Sequence, residues 1–430
     1  MHTTRIPLSL YVHIPWCVKK CLYCDFNSHE VRSPLPETHY VDALVADLQA
    51  HAQVVANRQV ISIFIGGGTP SLFTPGTISR LLDTINCILT IGSQAEITIE
   101  ANPGTLDQGN FTGFRKAGIN RISIGVQSFD DTMLHALGRI HDADTARQAV
   151  LAARRAGFEN INIDLMYALP GQTLAGARQD VEQAIELEPE HLSYYQLTLE
   201  PNTRFFRQPP KLPGNDLAWA MQQQGTHLIE QHGLQQYEVS SYAKDRHQCL
   251  HNMNYWQFGD YLGIGAGAHQ KISLEGTGVF RSAKPRNPQQ YMKHVFNGDS
   301  PETPDGRLLP EELEFEFLMN ALRLKSGFTR QQFELHTGLE FKLLASRLQE
   351  LYHEGLLAKE TERVCCSQNG YRFLDDLLLR LLPDRPTATL QTCQQAMQAD
   401  AGIQGSAHCA GSRIVHETQQ VMHNCNKSAV

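Results

Sequence analysis

The sequence predicts an α/β fold built on a parallel sheet, and three observations point there. Short β-rich apolar runs recur through the first half of the chain, helical patterns lie between them, and the unusual polar and glycine-rich residues fall just after the runs. The runs are Leu8 to Ile14, Val60 to Ile65, Glu96 to Glu100, Asn120 to Gly125, Asn160 to Leu165 and His191 to Leu197. Right-handed crossovers between six such strands give either an open doubly wound sheet or a barrel, complete or partial. Both place a binding site at the carboxyl ends of the strands.

Taken in order, each element supports that rim. The first strand runs into Cys17, Cys21 and Cys24, and the helix expected over Thr38 to Ala50 repeats Tyr40, Leu44 and Leu48 every four residues. The second strand ends in Gly66-Gly67-Gly68-Thr69-Pro70-Ser71. Thr74 as N-cap and Pro75 at the first helical position then open a helix to Leu89. Glu100-Ala101-Asn102-Pro103 closes the third strand, Gln127 follows the fourth and Asp164 ends the fifth. Singly, three glycines are often a tight turn, Glu100 an ordinary strand-end carboxylate, and Gln127 and Asp164 local caps. Glycines there also let backbone N–H groups approach a ligand closely. Their convergence on one rim argues for a site.

Three thiolates in a CxxxCxxC loop suit a 4Fe–4S cluster with one iron left open, because four thiolates normally hold the four irons. Tetrahedral zinc is the rival, and His13, Asp25 or His29 would then supply the fourth ligand. The spacing alone leaves both open.

Composition narrows the class. A net charge of −8 without any Lys/Arg block argues against nucleic acid as the main partner. No run approaches the ~18 apolar residues of a membrane span, and the start of the chain lacks the apolar core of a signal peptide, so a cytoplasmic protein is expected. The ten cysteines show no disulfide framework.

Farther along, Gln222 to Gln231 reads as a helix and Tyr237 to Tyr242 as a strand, and Asn287 to Pro304 has the composition of a linker. Pro310 to Leu322, Thr329 to His336 and Phe341 to Glu354 read as amphipathic helices, with short strands near Leu356 to Lys359 and Gly370 to Leu374. From Pro386 the apolar period stops and a disordered tail is expected. Its Cys393, His408, Cys409, His416, His423 and Cys425 have no regular metal-ligand spacing.

The CxxxCxxC loop with Tyr23 before its third cysteine, followed by GGGTP after the second strand, resembles the radical S-adenosylmethionine (SAM) superfamily. The resemblance implies a partial (β/α)6 TIM-type barrel and a 4Fe–4S cluster on Cys17, Cys21 and Cys24, with SAM chelated at the open iron. It narrows to the coproporphyrinogen-dehydrogenase-like branch in Leu10 to Pro15, Phe64 to Ser71, Gly125 to Phe129 and Asp164 to Gln172. Carried over by residue, SAM contacts fall on Tyr11, on Gly67, Gly68 and Thr69 near the methionine amino group, on Glu100, Gln127 and Arg139 at the ribose and carboxylate, and on Asp164.

Within that branch the dehydrogenases resemble this chain less than the haem chaperones do. The dehydrogenase loop is CxxxCxxCxC behind a long extension, whereas Phe26 stands at the fourth position here and ten residues precede Tyr11. The chaperone hallmark HNxxYW is matched by His251-Asn252-Met253-Asn254-Tyr255-Trp256. Haem is thereby implied as cargo, with His251 as the candidate axial ligand and Cys249, His247 and His269 as weaker ones. Without the resemblance, His251 reads as a hydrogen-bonded residue beside core aromatics.

The resemblance further implies transfer to haem-dependent recipient proteins, membrane-bound respiratory proteins among them, at the inner face of the membrane. It leaves a homodimer and radical formation open, and the alternative activity is oxidative decarboxylation of coproporphyrinogen III. The expected division is 1–245 for the radical SAM barrel, 246–300 for the haem-motif segment and linker, 301–382 for a small helical, winged-helix-like domain, and 383–430 for the tail.

Overall fold

The computed structural model describes residues 6–32, 34–105, 108–299, 303–359 and 362–382. The expected tail over 383–430, with its cysteines and histidines, lies outside the described residues.

Six strands and six helices alternate: β1 (Leu8–Ile14), α1 (Glu37–His51), β2 (Gln59–Gly67), α2 (Pro75–Ile88), β3 (Thr90–Ala101), α3 (Gln108–Lys116), β4 (Arg121–Gln127), α4 (Ala143–Arg155), β5 (Ile161–Tyr167), α5 (Leu174–Glu186), β6 (His191–Gln196) and α6 (Asn215–Gln231). The helices begin where short polar side chains can take up orphan N–H groups. Thr74 accepts from Thr77, Asp142 from Thr145 and Thr173 from Gly176, capping α2, α4 and α5.

Strands β1 to β6 lie side by side in chain order, all parallel. A doubly wound sheet would reverse its order at a switch point. The unreversed order is that of a barrel wall, so the choice between the two architectures falls to a partial barrel. β7 (Ser241–Ala243) runs antiparallel to β6 and does not return to β1, leaving the barrel open.

On the other side of β1 the sheet continues through parallel β8 (Asp260–Ile264) and then antiparallel β9 (His269–Leu274), β10 (Gly278–Ala283) and β11 (Thr303–Arg307). Between β7 and β8 stands the short helix α7 (Leu250–Trp256), which carries the HNxxYW residues.

The strands explain their own faces. In β1 every residue is buried, as a strand covered on both sides requires. Leu10, Val12, Ile65, Ile99, Ile122 and Ile163 form one apolar core with α1 and α2. Polar residues recur with a period of two: Glu96, Thr98 and Glu100 on β3, Arg121, Ser123 and Gln127 on β4, Asn162 and Asp164 on β5, and His191, Ser193 and Tyr195 on β6.

A second core gathers Phe258 and Val279 with Phe317, Phe328, Phe333, Leu344, Leu348 and Leu378. It is built by α9 (Pro310–Ala321), α10 (Arg330–Thr337) and α11 (Lys342–His353), with a two-stranded pair from Phe328–Thr329 and Arg363–Val364. Arg323 to Glu238 at 3.2 Å and Arg281 to Glu316 at 2.6 Å tie it to the barrel.

Three expectations need correcting. Asn287 to Pro304 is not a linker: Asn287 accepts from Gln289 and Gln290, Pro288 opens helix α8 (Pro288–Asn297), and Tyr291 is buried in the main core. Tyr237 to Tyr242 is no continuous strand, because the Glu238 carboxylate accepts the N–H and hydroxyl of Ser240 and turns the chain before β7. Gly370 to Leu374 is helical, capped by Ser367, whose side chain accepts from Gly370. Among the described residues, no helix is long and apolar enough to cross a membrane.

Candidate functional site

The cysteine loop is held from three directions. Cys17 ends a two-residue strand, Trp16–Cys17, that pairs with His29–Glu30. Leu22 N–H donates to Leu137 at 3.2 Å and Phe205 N–H to Leu22 at 3.0 Å. Asn27 Nδ2 donates to the carbonyls of Ala266 and Arg286, both at 2.9 Å. Both His13 ring nitrogens are engaged, Nδ1 with Tyr11 and Nε2 with the Asn27 carbonyl, which argues against His13 as a metal ligand.

The glycine strip explains the shape of the loop. A Cβ on Gly68 would stand 2.6 Å from the Trp16 carbonyl oxygen. One on Gly67, at φ +117°, would stand 2.6 Å from the His13 ring. The backbone N–H of Gly67 goes to Glu100 Oε2, that of Gly68 to Ile14 and that of Thr69 to Trp16. These donors hold protein, not ligand. What the strip can give a ligand amino group is therefore acceptors, which reverses the expectation of N–H groups reaching out.

A cavity of about 910 Å³ opens at the carboxyl ends of the strands. Ten expected site residues line it: Cys17, Cys21, Cys24, Gly67, Gly68, Thr69, Glu100, Gln127, Arg139 and Asp164. Among the described residues no three His, Cys, Asp or Glu side chains converge on a common point, as a mononuclear metal site would need.

The donor chemistry fits a cluster. Burial pushes the Cys24 thiol up to about 12, with the neighbouring cysteines adding to it, and a bound cation would favour its thiolate. Thr69 and Ser28 hydrogen-bond the Cys17 sulfur, and Arg139 Nη1 donates to Cys21 Sγ at 3.4 Å. Arg139 Nε is buried without a partner.

Around the cysteines the polar strand residues form a network that sequence reading had not assembled. Asp164 accepts from Ser123 at 3.1 Å and from Asn162 at 2.7 Å, and Asn162 in turn bonds His191 at 2.6 Å. His191 reaches Tyr237 at 2.8 Å. Gln127, at φ +71°, accepts the Tyr195 hydroxyl on Oε1 at 2.7 Å, which leaves its Nε2 as the free end of the amide. Burial, helped by the nearby Asp164 carboxylate, pushes Glu100 up to about 8. The signal for these residues was the period-two polar pattern on β3 to β6.

Tyr11 and His251 do not line the cavity. Tyr11 lies in the sheet, stacked near Phe64 at 6.3 Å between ring centres. His251 is buried, its Nδ1 3.2 Å from Ser62 Oγ and its ring 5.0 Å from that of Phe64, which does line the cavity. Burial, and then the charge of Arg121, lower the His251 imidazole to about 3 and keep it neutral. The buried Glu96 carboxylate accepts the N–H groups of Leu250 and His251 and so caps α7. Asn252 and Trp256 of the same helix line the cavity.

Two family models match the chain: the radical SAM superfamily over residues 11–185 and the HemN C-terminal domain over 308–373. Its relatives include a protein of Haemophilus influenzae named heme chaperone HemW, 45% identical, the match covering 86% of this chain and 97% of that one. The Escherichia coli protein of the same name is 44% identical over the same shares. Among solved structures, coproporphyrinogen III oxidase (HemN) from E. coli superposes with a TM-score of 0.75 at 24% identity, covering 88% of this chain and 91% of that one; at that identity the likeness establishes the fold. With relatives matched over nearly their whole length and the superfamily model laid over the cysteine loop and its glycine strip, this chain belongs to the HemW family of the radical SAM superfamily.

Proposed function

We propose that this chain binds haem and hands it to haem-dependent proteins, using a SAM-ligated 4Fe–4S cluster on Cys17, Cys21 and Cys24. The observation that carries the reading is that the HNxxYW helix and the cysteine loop wall one cavity, lined by Asn252 and Trp256 as well as by the three cysteines. A cluster with SAM supplies one-electron chemistry when bound. The relatives named heme chaperone support the transfer role.

The chain's own residues divide the work. Gly67, Gly68 and Thr69 receive the methionine amino group, Arg139 and Gln127 hold carboxylate and ribose, and Glu100 and Asp164 lie beneath as the acidic floor. Tyr11 supports this floor from the sheet through His13 and Phe64. His251 is the candidate haem ligand, and the neutral imidazole is the ligating form. His251 does not line the cavity, whereas Phe64, 5.0 Å from it between ring centres, does, so side chains here must shift for iron to reach His251.

In this reading residues 1–245 form the radical SAM barrel, 246–300 carry the haem motif, and 301–382 form the helical domain over it. The setting is the cytoplasm, with delivery to recipients at the inner face of the membrane.

Anaerobic reconstitution with iron and sulfide, followed by titration with haem and assay with coproporphyrinogen III, tests the reading. Stoichiometric haem binding without porphyrinogen conversion is expected, and His251→Ala should lower haem affinity by tenfold or more. SAM-dependent formation of protoporphyrinogen would overturn the chaperone role. Unchanged haem binding and transfer by His251→Ala would remove its assignment.

A further inference from the structure

Where the C-terminal helices meet α7, the cavity has a different character. Its wall is apolar where Met319, Leu374 and Leu378 reach in from the C-terminal helices, and polar where Arg323 meets Trp256. The Arg323 guanidinium lies over the Trp256 ring, 4.3 Å from its centre. Two donors in that stack have no partner although both atoms are buried, the indole Nε1 of Trp256 and the Nε of Arg323. Trp256 as a whole is 5% exposed. A buried donor without an acceptor costs about 1–3 kcal/mol, so two in one stack mark a place where an acceptor belongs.

The acceptor already present does not meet the need. Glu238 Oε2 takes Arg323 Nη2 at 3.2 Å, while Glu238 Oε1 is committed to the N–H and hydroxyl of Ser240. An anion with two oxygens, one for each orphan donor, completes the stack. Beside it the side chains of Met319, Leu374 and Leu378 present an apolar face to a ligand body.

We infer that this part of the cavity is a carboxylate subsite, in which the Arg323–Trp256 stack opens so that Arg323 Nε and Trp256 Nε1, both closed off in this structure, receive a propionate of the porphyrin while Met319, Leu374 and Leu378 cover the macrocycle. The inference rests on the haem-chaperone reading and adds to it a second contact, separate from the axial ligand. Charge-assisted hydrogen bonds of this kind are the stronger ones, and their geometry orients the ring relative to α7. The C-terminal helices then supply part of the binding site, which gives the domain a role beyond packing.

The test compares haem with haem dimethyl ester, whose propionates are capped, on the reconstituted full chain. Wild type should bind haem at least tenfold more tightly than the ester. Trp256→Phe keeps the ring and removes one donor, and Arg323→Lys keeps the charge facing Glu238 while removing Nε. Each variant should weaken haem binding about tenfold and shrink the preference for the free acid, with affinity for the ester lowered less than affinity for haem. Circular dichroism and thermal melting confirm that both variants fold. Wild type that binds haem and ester equally, or variants that keep the full preference, overturn the subsite while leaving the chaperone reading intact. Failure of wild type to bind either porphyrin overturns the reading itself, and the subsite with it.

Discussion

Glu100 stands in the floor of the cavity with its carboxyl pushed up to about 8 by burial and by Asp164. Near pH 7 it is therefore mostly protonated before any ligand arrives. SAM brings a sulfonium, and a cation close by favours the carboxylate. Binding at pH 7 should thus release a proton from Glu100. Calorimetry of SAM binding in two buffers of different ionisation enthalpy should report about one proton more released by wild type than by Glu100→Gln. The same shift has a stability sign. A carboxyl whose folded value lies above its ordinary 4.5 contributes fully below that value, and the contribution is lost as pH rises through about 8. Without SAM, Glu100→Gln should gain melting temperature relative to wild type between pH 5 and pH 9; a flat difference would refute the shift. The cysteines, the glycine strip and Glu100 were legible because they sit at strand ends. Arg121, Ser123, Asn162 and His191 were not, because one polar residue inside a strand looks accidental until its neighbours across the sheet are known.

At the scale of elements, the glycine strip and the cysteine loop fold as one unit. Gly67 holds φ +117° with the His13 ring where its Cβ would be, so a side chain meets both strain and collision. Gly67→Ala should lower the unfolding free energy by about 1–3 kcal/mol and reduce iron and sulfide content after reconstitution. Urea denaturation and metal analysis check the two parts, and a variant with full stability and a full cluster would show that the contact is dispensable. The alternating strands and helices were readable from apolar period and cap residues. Their order in the sheet was not. A one-dimensional pattern cannot say whether crossovers reverse, and only the pairing β1 to β6 in sequence chooses the partial barrel. α8 was hidden for a related reason: Asn, Pro and Gly are linker residues by composition, yet Asn287 and Pro288 here form a helix cap and Gly298 ends the helix in the left-handed region.

At the scale of the molecule, two cores meet across a few buried ion pairs. Arg281 and Glu316 are joined at 2.6 Å with both side chains nearly covered, and Arg281 also donates to Tyr261 at 3.0 Å. Removing Glu316 leaves the Arg281 charge buried without this carboxylate, which costs about 3–5 kcal/mol. Glu316→Ala should therefore destabilise the chain by that amount in urea denaturation, with amide exchange rising first in α9 to α11. A loss below about 1 kcal/mol would mean that the pair is screened like a surface bridge. The arrangement of the two cores was beyond the sequence, because Phe258 belongs by position to the haem-motif segment and by packing to the C-terminal core. The clamp on the cysteine loop carries a last consequence. Asn27 is held by the carbonyls of Ala266 and Arg286, and Leu22 by Leu137 and Phe205. On the ribosome, residues 17–29 emerge early but do not have the full set of these partners until the chain has grown past residue 286. Cluster loading therefore belongs after that point in synthesis, and a nascent chain stalled before it should present three reduced, accessible thiols.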